Sequence, residues 1–168
     1  KKSGSKFITI KDRVIFEREE ILNQAGLPFR VFTPYKKVWL EKANEAMPIL
    51  PAIKSLRSPQ LNAQFDLSNV KSFDDVDGAS GVVAARKQLQ SFVKRKAASY
   101  KENRDIPSID GTSKLSAALS LGVISIRQAY WAAHEARQSA DKYCRENIET
   151  FISELVWREF YYQILANF

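Results

Sequence analysis

From residue 82 onward, apolar and polar positions recur at helical spacing. Val82, Ala85, Leu89, Phe92, Val93 and Tyr100 fall on one face, with Arg86, Lys87, Lys94, Arg95 and Lys101 largely off it. This predicts a helix ending near Asn103, ahead of Pro107. Ser116 to Leu121 reads as a short helix stopped by Gly122. Ser125 then caps a helix containing Arg127, Tyr130, Trp131 and His134, and a last helix runs from about Lys142 to the end. Before residue 82 the pattern is weaker. Phe7-Ile8-Thr9-Ile10 starts as a strand, Lys11-Asp12-Arg13 suits a turn between two small strands up to Phe16, and Phe29-Arg30-Val31-Phe32 suits another strand. Thr33-Pro34 reads as N-cap and first residue of a helix through about Ala46, closed by Met47-Pro48. Between Pro48 and Gly81 periodicity is lost: Pro48, Pro51 and Pro59 punctuate it, Asp74-Asp75-Val76-Asp77-Gly78 is turn-like, and the stretch is expected to be a long connector.

The 168 residues are 45% hydrophobic and 27% charged, ordinary for a globular chain that buries a real core. With 26 Lys+Arg against 19 Asp+Glu the net charge is +7, which favours a polyanion or an anionic cofactor as partner. One cysteine, Cys144, excludes an internal disulfide, and with a single histidine, His134, it cannot build a protein-only zinc site. No apolar run approaches a membrane span, and Lys1-Lys2-Ser3-Gly4-Ser5 lacks the apolar stretch of a signal peptide, so a soluble cytoplasmic protein is expected. Both ends read as cut from something longer.

The last helix carries two stripes. Ile152, Val156 and Phe160 form an apolar back, while Glu154, Trp157, Arg158 and Tyr161 share the opposite face. The plainer reading is an amphipathic helix with a local Glu154–Arg158 ion pair and Trp157 as its lid. The sharper reading is a site wall, since a carboxylate, a guanidinium, an indole and a phenol together suit a flat heteroaromatic on a charged backbone. Gly111-Thr112-Ser113-Lys114-Leu115-Ser116 enters a helix and gathers hydroxyls and first-turn N–H groups where phosphate is favoured, although from spacing alone simple N-capping ranks first. Tyr100 suits a core aromatic and Arg104 a C-terminal cation; both also suit a hydroxyl and a guanidinium offered to the same anion.

The ordered set Tyr100-x-x-x-Arg104-Asp105-x-Pro107, Gly111 to Ser116, Leu121-Gly122-x-x-Ser125-x-Arg127 and Glu154-Leu155-x-Trp157-Arg158-Glu159-Phe160-Tyr161 resembles the DNA photolyase/cryptochrome family. Phe32-Thr33-Pro34-Tyr35-x-x-x-Trp39 is similar to the end of that family's antenna-binding domain, whereas Pro48 to Gly81 matches nothing specific.

The resemblance implies a mainly α fold: residues 1–47 as the C-terminal edge of a Rossmann-like α/β antenna domain, 48–81 as interdomain connector, and 82–168 as the first helices of the all-helical FAD-binding domain. It implies a light-driven repair enzyme in which excited reduced FAD passes an electron to a cyclobutane pyrimidine dimer in damaged DNA, and a second chromophore of folate or deazaflavin type in the whole protein. The dimer would be flipped from the base stack. Position by position, Tyr100, Thr112, Ser113, Leu115, Ser116, Phe151 and Arg158 resemble cofactor contacts, Phe151 standing where several members have tryptophan. Glu154 and Trp157 resemble the residues that meet the dimer, and Arg104, Lys114 and Tyr161 contacts along the DNA backbone or pocket rim. The family's remaining flavin contacts lie in a second half not matched here, so this chain by itself is expected to hold flavin weakly. The alternatives are a signalling cryptochrome and a non-catalytic basic DNA-binding module using the helix from Val82 to Asn103.

Overall fold

The protein is described here by a computed structural model covering residues 11–46 and 81–168. The described residues are mainly helical: α1 (Phe32–Ala46), α2 (Gly81–Arg95), α3 (Tyr100–Asn103), α4 (Ser116–Ser120), α5 (Ile126–Gln138) and α6 (Lys142–Asn167). The expectations for Phe7 to Ile10 and for 48–80 lie outside the described residues.

Helix α6 is the spine. Helix α5, the α3 region and α1 pack against it, and α2 closes over α5. Its start is set by Asp141, whose side chain accepts from the Cys144 N–H at 2.8 Å. Its apolar back behaves as its spacing predicts, with Ile152, Val156 and Phe160 all buried. Helix α5 begins with a full capping box: Ser125 Oγ accepts from the Gln128 N–H at 3.1 Å, and Gln128 Oε1 accepts from the Ser125 N–H at 3.0 Å. Gly122, with φ of 71°, ends the α4 turn in the left-handed region, as the sequence predicts.

Three expectations are corrected. The segment Phe29–Val31 is not a strand, and neither is any stretch of residues 11–28. One isolated bridge, Leu22 to Pro28, closes a turn in which Asn23 Oδ1 accepts from the Ala25 and Leu27 N–H groups. Strand-like residues here serve as single anchors: Phe29 packs edge-on against Tyr35, Phe32 joins α1, and Val31 stays exposed. A four-residue apolar run without a pairing edge cannot hold a strand. The predicted helix 82–103 is also interrupted. After α2, Ala97–Ser99 tightens into a 3-10 turn and the chain restarts as α3. The turn seats Ala97 and Tyr100 together in the core, and buried Asn147 of α6 takes the Lys101 N–H on its Oδ1 at 2.8 Å. The third correction belongs to the polar face of α6.

Candidate functional site

The local Glu154–Arg158 pair does not form. Glu154 is bonded instead to Arg104, at the end of α3, and Arg158 reaches the other way. The reason is competition: an i,i+4 pair on an open helix face contributes only about 0.3–0.5 kcal/mol, less than contacts that cross-link elements can supply. Arg104 also meets Asp105 at 3.3 Å, and its guanidinium carbon lies 5.7 Å from the Tyr100 ring centre. Tyr100 is buried edge-on against Phe92 and Phe151, so Tyr100, Arg104, Phe151 and Glu154 form one cluster from two distant stretches of chain. Burial raises the Tyr100 phenol's pKa, which keeps it a proton donor.

Arg158 donates to the Arg13 carbonyl at 2.7 Å and the Leu119 carbonyl at 3.5 Å, with Tyr162 4.8 Å beneath its guanidinium. It therefore braces α6 to α4, the helix that the hydroxyl-rich bend enters. Trp157 is half-buried and stacks on Phe32, ring centres 3.5 Å apart and planes within 10°, while the exposed Tyr161 ring lies 5.6 Å away at 25°. One indole face is thus already covered by α1. Of these three rings only Tyr161 is exposed, Phe32 and Trp157 both being half-buried.

The bend from Gly111 to Ser116 is shaped from below. A Cβ at Gly111 would come within 2.5 Å of the Asn103 Cβ, so only glycine lets the loop lie this close to the end of α3. Gln88 of α2 donates to the Ser113 and Lys114 carbonyls at 2.9 and 3.1 Å, and Lys114 takes a φ of 52°. Leu115 is the buried anchor, leaving Ser116 exposed and Thr112 and Ser113 half-exposed. Ser113 Oγ accepts from the Leu115 N–H at 3.4 Å. Lys114 pairs with Asp110 at 2.8 Å, and Lys96 holds the same carboxylate; Lys114 first, then Lys96, lower the Asp110 pKa to about 2. Hydroxyls beside two lysines suit phosphate oxygens in chemistry, and a tyrosine, an arginine and a carboxylate in one cluster suit a polar heteroaromatic. Among the described residues no group of His, Cys, Asp and Glu is arranged to hold a metal ion.

Glu159 stands in the sequence only as one position of the Glu154–Tyr161 motif. It is fully buried. Its carboxylate accepts from the Ile15 N–H at 2.7 Å, the Phe16 N–H at 2.9 Å and Trp39 Nε1 at 2.7 Å, with Arg127 nearby and bonded to the Ile15 carbonyl. Burial raises its pKa, while those donors and Arg127 pull the other way. The signal that could have found it was a charged residue inside the apolar stripe of a helix.

These positions can be set against known proteins. No family model matches. Over 167 residues the chain is 35% identical to the deoxyribodipyrimidine photo-lyase of Alkalihalophilus pseudofirmus, covering 95% of this chain and 34% of the relative. Against the Escherichia coli photo-lyase it is 32% identical over 160 residues, 92% of this chain and 33% of the relative. Among solved structures, a bacterial class III photolyase from Agrobacterium tumefaciens superposes with a TM-score of 0.69 at 27% identity, covering 94% of this chain and 34% of that one. Over the region it shares with them, the chain is similar to photolyases in sequence and in fold. It spans about a third of the length of the photolyases it matches.

Proposed function

We propose that the protein acts in light-driven repair of cyclobutane pyrimidine dimers, with residues 82–168 forming the start of a helical flavin-binding domain, 1–47 the edge of an α/β antenna domain, and 48–81 the connector. The observation that carries this reading is the convergence of separate motifs: Tyr100 and Arg104 meet Phe151 and Glu154, while Arg158 ties α6 to the helix that follows the hydroxyl bend. Relatives named as photo-lyases across most of the chain support it, and they favour repair over cryptochrome signalling or a bare DNA-binding module.

In this proposal Thr112, Ser113 and Ser116 hold the phosphates of FAD through hydroxyls, with Leu115 fixing the bend from inside. Tyr100, Phe151 and Arg158 border the ring system. When bound, reduced FAD supplies the photochemical electron transfer. Glu154 meets the damaged bases as a hydrogen-bond acceptor, and Trp157 with Tyr161 forms the apolar wall beside them. Arg104 holds Glu154 in place, and Lys114, Arg104 and Tyr161 border the DNA backbone. A second chromophore of folate or deazaflavin type belongs to the same proposal for the whole protein. Among the described residues no helix is long and apolar enough to cross a membrane, and a cytoplasmic location is part of the reading.

The test is blue-light illumination of the full-length, flavin-loaded protein that carries this region with an oligonucleotide carrying one thymine dimer, followed by chromatography of the product. Restored thymines are expected in the light and none in the dark. Equal dimer content in both overturns the proposal.

A further inference from the structure

Helix α3 is a single turn, Tyr100–Asn103, and one turn does not hold its own shape in water. Ser99, at its start, supplies no side-chain cap: the Ser99 hydroxyl accepts from Asn103 Nδ2 at 3.1 Å and donates to the Lys96 carbonyl at 3.5 Å. The acceptor that a cap would offer the first turn comes instead from α6, where Asn147 Oδ1 takes the Lys101 N–H at 2.8 Å. Asn147 is 2% exposed, and its Nδ2 donates to the Tyr143 carbonyl of its own helix at 3.1 Å. Both ends of the amide are therefore committed, and turning it over would set donor against donor and acceptor against acceptor.

The same face of α6 carries on toward the candidate site. Asn147, Phe151 and Glu154 follow at i, i+4 and i+7 and meet, in order, the Lys101 N–H, the Tyr100 ring and the Arg104 guanidinium. The Phe151 rung is an edge contact between rings, and the Glu154 rung joins two side chains that are both partly open to water. The Asn147 rung differs because it ties a buried amide to the main chain of α3, and a directional bond to main chain decides where the turn sits.

We propose that Asn147 is a positioning residue for the Tyr100, Arg104 and Glu154 cluster: by fixing the register of α3 on α6 it sets the direction from which Arg104 holds Glu154. Seven residues, about 10 Å along the axis, separate it from Glu154, so it acts through α3 and not by meeting the bases itself. This role rests on the proposed meeting of Glu154 with the damaged bases.

The test uses the full-length, flavin-loaded protein that carries this region and reads the ratio of dissociation constants for dimer-containing and intact oligonucleotides. Asn147→Leu, which removes the acceptor and keeps the bulk, should lower the preference for the dimer by about 2- to 10-fold. Asn147→Asp, which keeps the acceptor, should stay near the parent. Asn147→Leu combined with Arg104→Ala should fall no further than Arg104→Ala alone, because the two act in one line; a merely structural role would make the losses multiply. If Asn147→Leu does not fold, Asn147→Ala reads the same ratio. An unchanged preference in the variant lacking the acceptor overturns the inference, and so do multiplying losses or an Asn147→Asp protein as impaired as Asn147→Leu. Glu154→Ala tells the two failures apart. If it leaves the preference unchanged, the lesion-facing reading falls and this role with it; if it removes the preference while Asn147→Leu retains it, this role alone is overturned.

Discussion

Glu154 and Glu159 sit five residues apart on one helix and have opposite environments. Glu159 is enclosed, with backbone and indole N–H donors delivered from the 11–31 segment and from α1, and a buried arginine beside it. Glu154 is half-exposed and held by one side chain, Arg104, that is itself partly open. The first cannot change partners without leaving several buried donors empty. The second can exchange its arginine for another donor at little cost. Rigidity behind and adjustability in front is the arrangement a binding wall needs, because fixed backing lets small displacements at the surface remain local.

The largest expected effect breaks this contrast from behind. Glu159→Ala strands three N–H donors and uncovers a buried arginine, so urea unfolding should show a loss of about 3–5 kcal/mol. A loss below 1 kcal/mol would mean the enclosed carboxylate is not a clamp. Next, Gly111→Ala pushes the bend off the end of α3, and should cost about 1–3 kcal/mol in the same assay, since backbone as well as a side chain stands in the way. Arg104→Ala should cost only about 0.2–1 kcal/mol while weakening preference for dimer-containing over intact DNA in a competition assay; a stability loss equal to that of Glu159→Ala would erase the distinction. The smallest effect is a titration. The Asp110 carboxyl, held at about 2 mainly by Lys114, should move upward in Lys114→Ala when followed by carbon-detected NMR. Because its folded pKa is depressed, the stabilisation it carries is present above the ordinary carboxylate range, about pH 4, and is lost as pH falls toward 2. Salt should weaken this effect, since the pair is exposed.

The helices after residue 81 were legible because period and caps agree there. Ser125 with Gln128, Gly122, and the Ile152–Val156–Phe160 stripe each name their own structure locally. The strands expected within residues 11–31 were not, because a strand is completed by a neighbour that short apolar runs cannot supply. The 3-10 turn at Ala97–Ser99 was invisible for a related reason: it exists to fit Tyr100 beside Phe151 and to meet Asn147, both of which belong to a helix some fifty residues later.

The candidate site divides in the same way. Which residue types lie on the outer face of α6, and that a hydroxyl-bearing bend precedes α4, follow from spacing, which a helix translates directly into direction. Which of those residues touch one another was decided only by packing. Glu154 chose Arg104 over Arg158, Trp157 lost one face to Phe32, and Glu159 was drawn inside, because each side chain settles on the strongest partner that the folded elements bring within reach, and that set is defined only once the elements have docked.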